Sequence, residues 1–488
     1  MRIGIDLDNT IINYSNVFSK ICKKYNLKIY KQNPKVRLKT YIRKYISKKK
    51  WTEIQGEVYG KEILNANIFQ NFKSFLKFAK KNNIEITIIS HKSKYPIIGK
   101  KINLHSKALQ FLEKKIAYKF LKNKNIFFES SIKNKIKKIK DCECDYFIDD
   151  LLKVFKNKEF PKTTEKLLFK DKYLNTNNFN NWSEIITFFK NEIKNKNKLL
   201  GKNNESFLIN KKIFVKNFTG NNLKKKFLRE TIFLDFLEKN RIRLTPKLFY
   251  KSNKRNFIKT LYIKDIDRSY YSKNKSKLIL ESFNFIKKIN SKKYSKKNFY
   301  LAKDFCQTEL DYKKEILFRI KMLKKLVIYK KNKQLRNLIK KINLMFKTLV
   351  SKGFFKKKYY VNKNNLILSP CDFHIGNMIF NKKIYFIDFE YSGLDDPAKI
   401  FSIFFLQPEL NLDKKYFIKN FNKINFIKNN FLRKNVEYLM PLNYLRWSLI
   451  LLNLLNKKEI KFNQKLIKKV ENFMLTRIGY YMMYKNFL

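Results

Sequence analysis

Asp372, Asn377 and Asp388 are the residues whose types and spacing most directly suit chemistry. They lie in Leu368-Ser-Pro-Cys-Asp-Phe-His-Ile-Gly-Asn377 and in Ile384-Tyr-Phe-Ile-Asp388-Phe-Glu-Tyr-Ser-Gly-Leu-Asp-Asp-Pro397. One carboxylate can accept the proton of an attacking hydroxyl. An amide oxygen and a second carboxylate can hold magnesium over the phosphates of a nucleoside triphosphate. A polar turn between two strands would also use Asp and Asn. His374 follows Asp372 by two residues, and an apolar strand ends in Asp388, eleven residues after Asn377. Those additions favour phosphoryl transfer over a plain turn.

A second constellation opens the chain. Arg2-Ile-Gly-Ile-Asp-Leu-Asp-Asn-Thr10 reads as an apolar strand ending in Asp6 and Asp8. Two apart in extended backbone, these carboxylates project to one side. Open α/β sheets bind ligands beyond the carboxyl ends of their strands. One acid can then serve as ionised nucleophile and the other as proton donor, once a metal separates their pKa values. A strand followed by an Asx turn is the plain alternative. Ile86-Thr-Ile-Ile-Ser90 is a buried-strand pattern ending in a hydroxyl, which can bond a phosphate oxygen or cap the next segment. His91 and Lys92 follow it and can stand beside the site. After the basic helix Ser131 to Lys140 comes Tyr146-Phe-Ile-Asp-Asp150. In a parallel sheet its acids, Asp149 and Asp150, fall near the end of the first strand, and carboxylates with waters suit magnesium.

The elements that must position these groups follow from periodicity. Between Ile11 and Ile84, Phe18, Ile21, Cys22 and Tyr25 keep helical intervals. Part of that segment reads as a small helical cap, which would exclude water and select substrate. An Asn-rich turn from Asn175 leads into a helix from Trp182 to Lys194, and Asn195 to Lys198 reads as a polar joint. Gly201 to Asn210 and Ile213 to Phe218 read as strand, turn and strand, the first able to fold over nucleotide phosphates. Lys216 lies in an apolar strand, where a cleft lysine needs a carboxylate partner. Glu230 follows on the amphipathic helix Phe227 to Leu237. Leu244 to Tyr250 and Phe257 to Ile263 would complete a small lobe and hinge, and from about Ser272 the pattern is helical. The stripes Leu317, Ile320, Leu323 and Leu338, Ile342, Phe346 read as core. This predicts three parts: 1–195, 196–265 and 266–488.

Asp-x-Asp-x-Thr, strand-Ser, Lys and strand-Asp-Asp, over roughly residues 1–195, resembles the haloacid dehalogenase-like hydrolase superfamily. The resemblance implies an α/β Rossmann-like fold with a small helical cap. It implies Asp6 as the nucleophile that forms an aspartyl-phosphate and Asp8 as general acid and base. Ser90 would steady the phosphoryl group. Lys135, with Lys133 as second choice, would neutralise its charge. Asp149 and Asp150 would complete a magnesium site with Asp6 and the Asp8 carbonyl. Residues 200–488 resemble the aminoglycoside phosphotransferase and choline kinase-like family. Its members share an α+β bilobal protein-kinase-like fold and phosphorylate small-molecule hydroxyls with ATP. That resemblance implies Asp372 as catalytic base and Asn377 and Asp388 as magnesium ligands. Lys216 and Glu230 would form the ion pair that positions the phosphates, with His374 bracing the loop and Glu390 and Asp396 structural. The family's His-Gly-Asp is Pro370-Cys371-Asp372 here.

Composition adds bounds. The 488 residues carry 110 Lys plus Arg against 39 Asp plus Glu, a net charge of +71. A polyanion partner is the obvious inference. However, Lys, Asn, Ile, Phe and Tyr are inflated together while Gly, Pro and Trp are scarce, as AT-rich codons would produce. Lys also greatly outnumbers Arg, the better phosphate reader. No specific nucleic-acid partner is therefore expected. Five irregular cysteines suggest reduced thiols in a cytoplasm. No signal peptide is visible, and the longest apolar stretch, Tyr444 to Leu455, reads as a buried helix too short for a membrane span. The expectation is a bifunctional enzyme acting on small-molecule phosphates and alcohols: a sugar, an amino sugar or a choline-like compound. Surface polysaccharide or lipid head-group metabolism is a compatible setting. A nucleic-acid end-processing kinase and phosphatase is the alternative, but such kinases generally use a P-loop and no Gly-x4-Gly-Lys-Ser/Thr occurs. A non-catalytic kinase-like binding module would suit the altered Pro-Cys-Asp.

Overall fold

The computed structural model describes residues 1–26, 34–116, 125–169, 178–197, 204–351, 353–356, 359–410, 412, 414–421, 424, 430–452, 455 and 460–474. The loop glycine Gly201 and the start of the Asn-rich turn, Asn175 to Asn177, lie outside them. Two compact units divide the chain: residues 1–201 with 206–215, and residues 202–205 with 216–488.

Six strands form the sheet of the first unit, in the order Ile126–Glu129, Glu85–His91, Arg2–Ile5, Tyr146–Asp149, Glu165–Phe169, Asn178–Phe179. All its pairings are parallel. Numbered along the chain the order is 3-2-1-4-5-6, the doubly wound arrangement, whose switch point lies between the first and fourth strands. Strands buried on both faces read as continuous apolar runs, and Ile3, Ile5, Phe147 and Ile148 are all buried. Gly4 is required by packing: a Cβ there would lie 2.5 Å from the Phe147 ring and 2.8 Å from Cys144 Sγ. The register pairs Ile5 with Ile148, and the Asp6 amide donates to the Ile148 carbonyl at 2.8 Å. Asp6 and Asp149 therefore leave the sheet side by side at the switch point.

Between the first two strands of this order along the chain stand the helices Ser15–Lys24, Pro34–Tyr45 and Lys48–Tyr59. Aromatic contacts hold them: Phe18 stacks on Trp51 at 6.1 Å, and Tyr14 meets Tyr59 edge-on at 5.0 Å. Behind the sheet, Trp182 packs on Phe72 and Phe75 and donates its indole N–H to the Thr10 carbonyl at 3.1 Å. Its helix runs Trp182–Asn197, so Asn195 to Asn197 continue the helix rather than forming a joint. Lys198 lies outside the described residues.

A four-stranded sheet in the order Leu248–Ser252, Phe257–Leu261, Ile213–Asn217, Glu205–Ile209 precedes a large helical region. In the second unit the helix Leu223–Lys239 buries Phe227, Phe233, Leu234 and Leu237 together with Arg229 and Glu230. One hydrophobic core extends from this helix through Lys275–Asn290, Lys333–Ser351 and Pro397–Phe405 to Asn430–Leu452. Two short antiparallel pairs interrupt the helices: Ile367–Ser369 with Gly393–Asp395, and Met378–Asn381 with Lys383–Phe386. The Asp372 loop joins one pair to the other, and Asp388 follows the second. No helix among the described residues is long and apolar enough to cross a membrane.

One predicted stripe is corrected. Ile320 and Leu323 are buried, but Leu317 is 42% exposed. The inner face of helix Glu309–Lys324 is set by Tyr312, Ile316, Ile320 and Leu323, and Leu317 lies one position past it.

Candidate active sites

In the first unit the acids at the switch point share one lysine. Lys135 Nζ lies 2.5 Å from Asp6 Oδ1 and 2.7 Å from Asp149 Oδ2, and all three residues are buried. Ser131 caps the helix Ile132–Asp141 by accepting from the Asn134 amide. Ile136 and Ile139 set its buried face, and Lys135 falls on that face while Lys133 is exposed. The Leu151 amide donates to Asp149 Oδ1 at 2.9 Å, fixing that carboxylate.

Asp6, Asp149 and Asp150 offer oxygens within 4.8 Å of one another, the one such acid, His or Cys cluster among the described residues. Burial pushes the Asp6 carboxyl up to about 7; Lys135 opposes that shift, and Asp149 and Asp8 add to it. Burial and the Asp6 charge raise Asp150 as well. For Lys135 burial acts downward, but Asp6 and Asp149 outweigh it and hold the ammonium charged. Three buried oxygens around the strand ends have no hydrogen-bond partner among the described residues: Thr10 Oγ1, Ser90 Oγ and Asp150 Oδ1. Hard oxygen donors with unfilled valence fit magnesium and a phosphoryl group.

Asp8 does not join that cluster through its carboxylate. Its Oδ2 lies 2.8 Å from Lys92 Nζ, and its Oδ1 accepts from the Tyr14 hydroxyl at 2.6 Å. Lys92 is buried and lies 5.0 Å from the Tyr59 ring. His91 points the other way and meets the Ser130 carbonyl at 3.1 Å. Strand alternation explains the difference: Ser90 and Lys92 share one side and His91 takes the other.

In the second unit Lys216 is the hub. Its Nζ lies 2.6 Å from Glu230 Oε2, 2.5 Å from Asp388 Oδ1 and 3.8 Å from Glu390 Oε2. For Lys216, burial pulls the pKa down, but Glu230 and Asp388 outweigh it and keep it charged. Burial pushes Glu230 up to about 7 against the pull of Lys216. Asp388 adopts φ +66°, a left-handed conformation that Asp tolerates better than most residues. Glu390, buried, also meets Asn204 Nδ2 at 2.6 Å and Lys226 Nζ at 3.7 Å.

The Asp372 loop is braced locally. His374 Nε2 lies 3.4 Å from Asp372 Oδ1, and its Nδ1 accepts from the Gly376 amide at 3.0 Å. Asn377 Nδ2 donates to the Asp372 carbonyl at 2.9 Å. Burial pushes Asp372 up, but bonds with His374 and Asn377 outweigh it and hold the carboxyl below its ordinary value. Cys371 has φ +65°, a left-handed conformation that favours glycine. Desolvation pushes its thiol up to about 12.

Several positioning residues carry no motif in the sequence. Arg229 Nη1 donates to the Ser392 carbonyl at 3.1 Å, and Arg268 Nη2 to the Met378 carbonyl at 2.8 Å, bracing the segments after Asp388 and Asn377. Tyr14 and Lys92 act on Asp8. Asp396 caps the helix Pro397–Phe405 by accepting from the Ala398 amide, and takes a bond from the Tyr359 hydroxyl. Two of these had a signal in the sequence: Lys92 in its two-residue offset from Ser90, and Asp396 in its place directly before Pro397, a helix-start pattern.

No family model and no curated protein matches the chain. Among solved structures, an ADP-bound aminoglycoside phosphotransferase, APH(2'')-Ib, is 21% identical with a TM-score of 0.38, covering 62% of this chain and 99% of that one. A choline/ethanolamine kinase family protein from Mesorhizobium loti is 14% identical with a TM-score of 0.40, covering 58% and 90%. Choline kinase LicA from Streptococcus pneumoniae is 15% identical with a TM-score of 0.37, covering 59% and 98%. By their descriptions these are small-molecule kinases, and they are what this chain is similar to.

Proposed function

We propose that the chain is a two-centre phosphoryl-transfer enzyme: a magnesium-dependent phosphatase of haloacid dehalogenase type, then an ATP-dependent kinase of a small-molecule hydroxyl. The observation that carries the first half is Lys135 bridging Asp6 and Asp149, with Asp150 completing a three-carboxylate cluster at the switch point. The second half rests on Lys216 joining Glu230 to Asp388.

At the first centre the Asp6 carboxylate attacks the phosphorus of a phosphomonoester in line, and the ester P–O bond breaks. Asp8 gives a proton to the leaving alkoxide. A water, losing its proton to Asp8, then attacks the phosphoryl group and frees Asp6. Lys135 and Ser90 hold phosphoryl oxygens, and the cap helices exclude bulk water. Asp6, Asp149 and Asp150 would hold magnesium, which when bound offsets the charge of the transferring group.

At the second centre Asp372 takes the proton of the substrate hydroxyl as that oxygen attacks the γ-phosphorus, and ADP leaves. Lys216, fixed by Glu230, orients the phosphates. Asn377 and Asp388 supply amide and carboxylate oxygens of the kind magnesium prefers. The hydroxyl belongs to a sugar, an amino sugar or a choline-like alcohol.

A metabolite screen with wild type, Asp6→Asn and Asp372→Ala tests this. Asp6→Asn should lose phosphate release and keep ATP consumption, and Asp372→Ala should do the reverse. Loss of both activities in both variants refutes two independent centres.

A further inference from the structure

On helix Glu309–Lys324 the inner side chains Tyr312, Ile316, Ile320 and Leu323 anchor it in the core. The outer side is unusual. Leu310, Leu317, Phe318 and Met322, at i, i+7, i+8 and i+12, share one side of the helix, and Phe318 is 62% exposed. Val327, opening the next helix, is 70% exposed. Exposed Lys314, Lys321, Lys324 and Lys325 stand between and beside them. The segment's two outer acids are already engaged. Asp311 closes a capping box with Thr308, and Glu315 meets Arg319 and Arg446, each at 2.7 Å. From Leu310 to Lys331 no acid is exposed.

Exposed apolar residues scattered singly are ordinary, whereas several gathered on one side of a helix mark an interaction surface. Such a surface suits the boundary of an anionic membrane. The apolar side chains enter the acyl region, and the lysine stems lie along it with their ammonium groups raised to the phosphates. We propose that this ridge docks the second unit onto an anionic lipid bilayer. A nucleic acid would pair with the lysines but leave Phe318 and Val327 in water. A second copy of the chain would set lysines against lysines.

Flotation of the full chain with phosphatidylcholine vesicles, with and without phosphatidylserine, tests the docking. Wild type should float with the anionic vesicles. Phe318→Ser with Val327→Ser should weaken that binding about tenfold per side chain. The indole emission of a Phe318→Trp variant should shift to the blue on anionic vesicles, which reads insertion without removing the ridge. Binding by the serine variant equal to wild type, or an emission from the Phe318→Trp variant that stays unshifted on bound vesicles, would show diffuse lysine attraction and overturn the proposal. Dissociation of a dimer by the serine substitutions, seen by sedimentation, would overturn it in favour of self-association.

Discussion

Replacing Lys135 with methionine keeps the unbranched stem of the side chain, one atom shorter, and removes its charge, so it reads chiefly what the ammonium does. In the wild type that group lies 2.5 Å and 2.7 Å from two buried carboxylates. Breaking a buried ion pair by deleting one partner costs about 3–5 kcal/mol. Here the loss is capped, because Asp6 sits at about 7 even beside the lysine. Without it, Asp6 is pushed further up, takes a proton at neutral pH, and can bond to Asp149 instead. The lower end, about 3 kcal/mol, is therefore expected. For a unit of roughly 200 residues this is a fall in Tm of about 6–12 °C.

The sign with pH follows from the same groups. Lys135 has a raised pKa, so its contribution is present throughout the acid and neutral range. Asp6, raised above 3.8, favours the fold at low pH and loses that preference as pH rises through about 7. In Lys135→Met that loss extends higher, so the deficit is larger at pH 8 than at pH 5.5. Thermal melting in chelator at both pH values measures it, with Lys133→Met as the exposed control. Added magnesium should return part of the lost stability. A Lys135→Met protein that melts with wild type at pH 8 in chelator would refute the bridging role.

Three further outcomes are expected. Lys216→Met should lower kcat/KM for ATP about a hundredfold without altering phosphate release by the first unit; steady-state kinetics of both reactions check this, and equal losses count against it. Gly4→Ala should cost about 1–3 kcal/mol by overpacking, since its methyl would meet Phe147 at 2.5 Å; an unchanged melting curve contradicts that packing. Burial raises Asp396 to about 6 from 3.8, so the wild type should lose on the order of 3 kcal/mol between pH 4 and 6.5. Asp396→Asn can still cap its helix and should flatten that slope in urea titrations; parallel slopes would rule the titration out.

The chain by itself determined which acids end strands. Arg2–Ile5 and Tyr146–Asp149 are apolar runs closing on carboxylates, and that pattern is local, a matter of alternation and burial readable residue by residue. The helix Ser15–Lys24 was legible in the same way from the spacing of Phe18, Ile21 and Cys22. Lys135 was legible only in part. The stripe of Ile132, Ile136 and Ile139 marks the inner face, but a lysine on an apolar face needs a known partner before it reads as anything but an interruption. The tertiary structure decided the partners. Lys92 rather than His91 meets Asp8, because strand register settles which side faces the switch point. Arg229 and Arg268 brace the Asp388 and Asn377 segments across more than 100 residues of chain, by bonds to backbone carbonyls that no side-chain pattern encodes. Leu317 points outward because the helix phase is set by what packs beneath it, a choice made by neighbours distant in sequence.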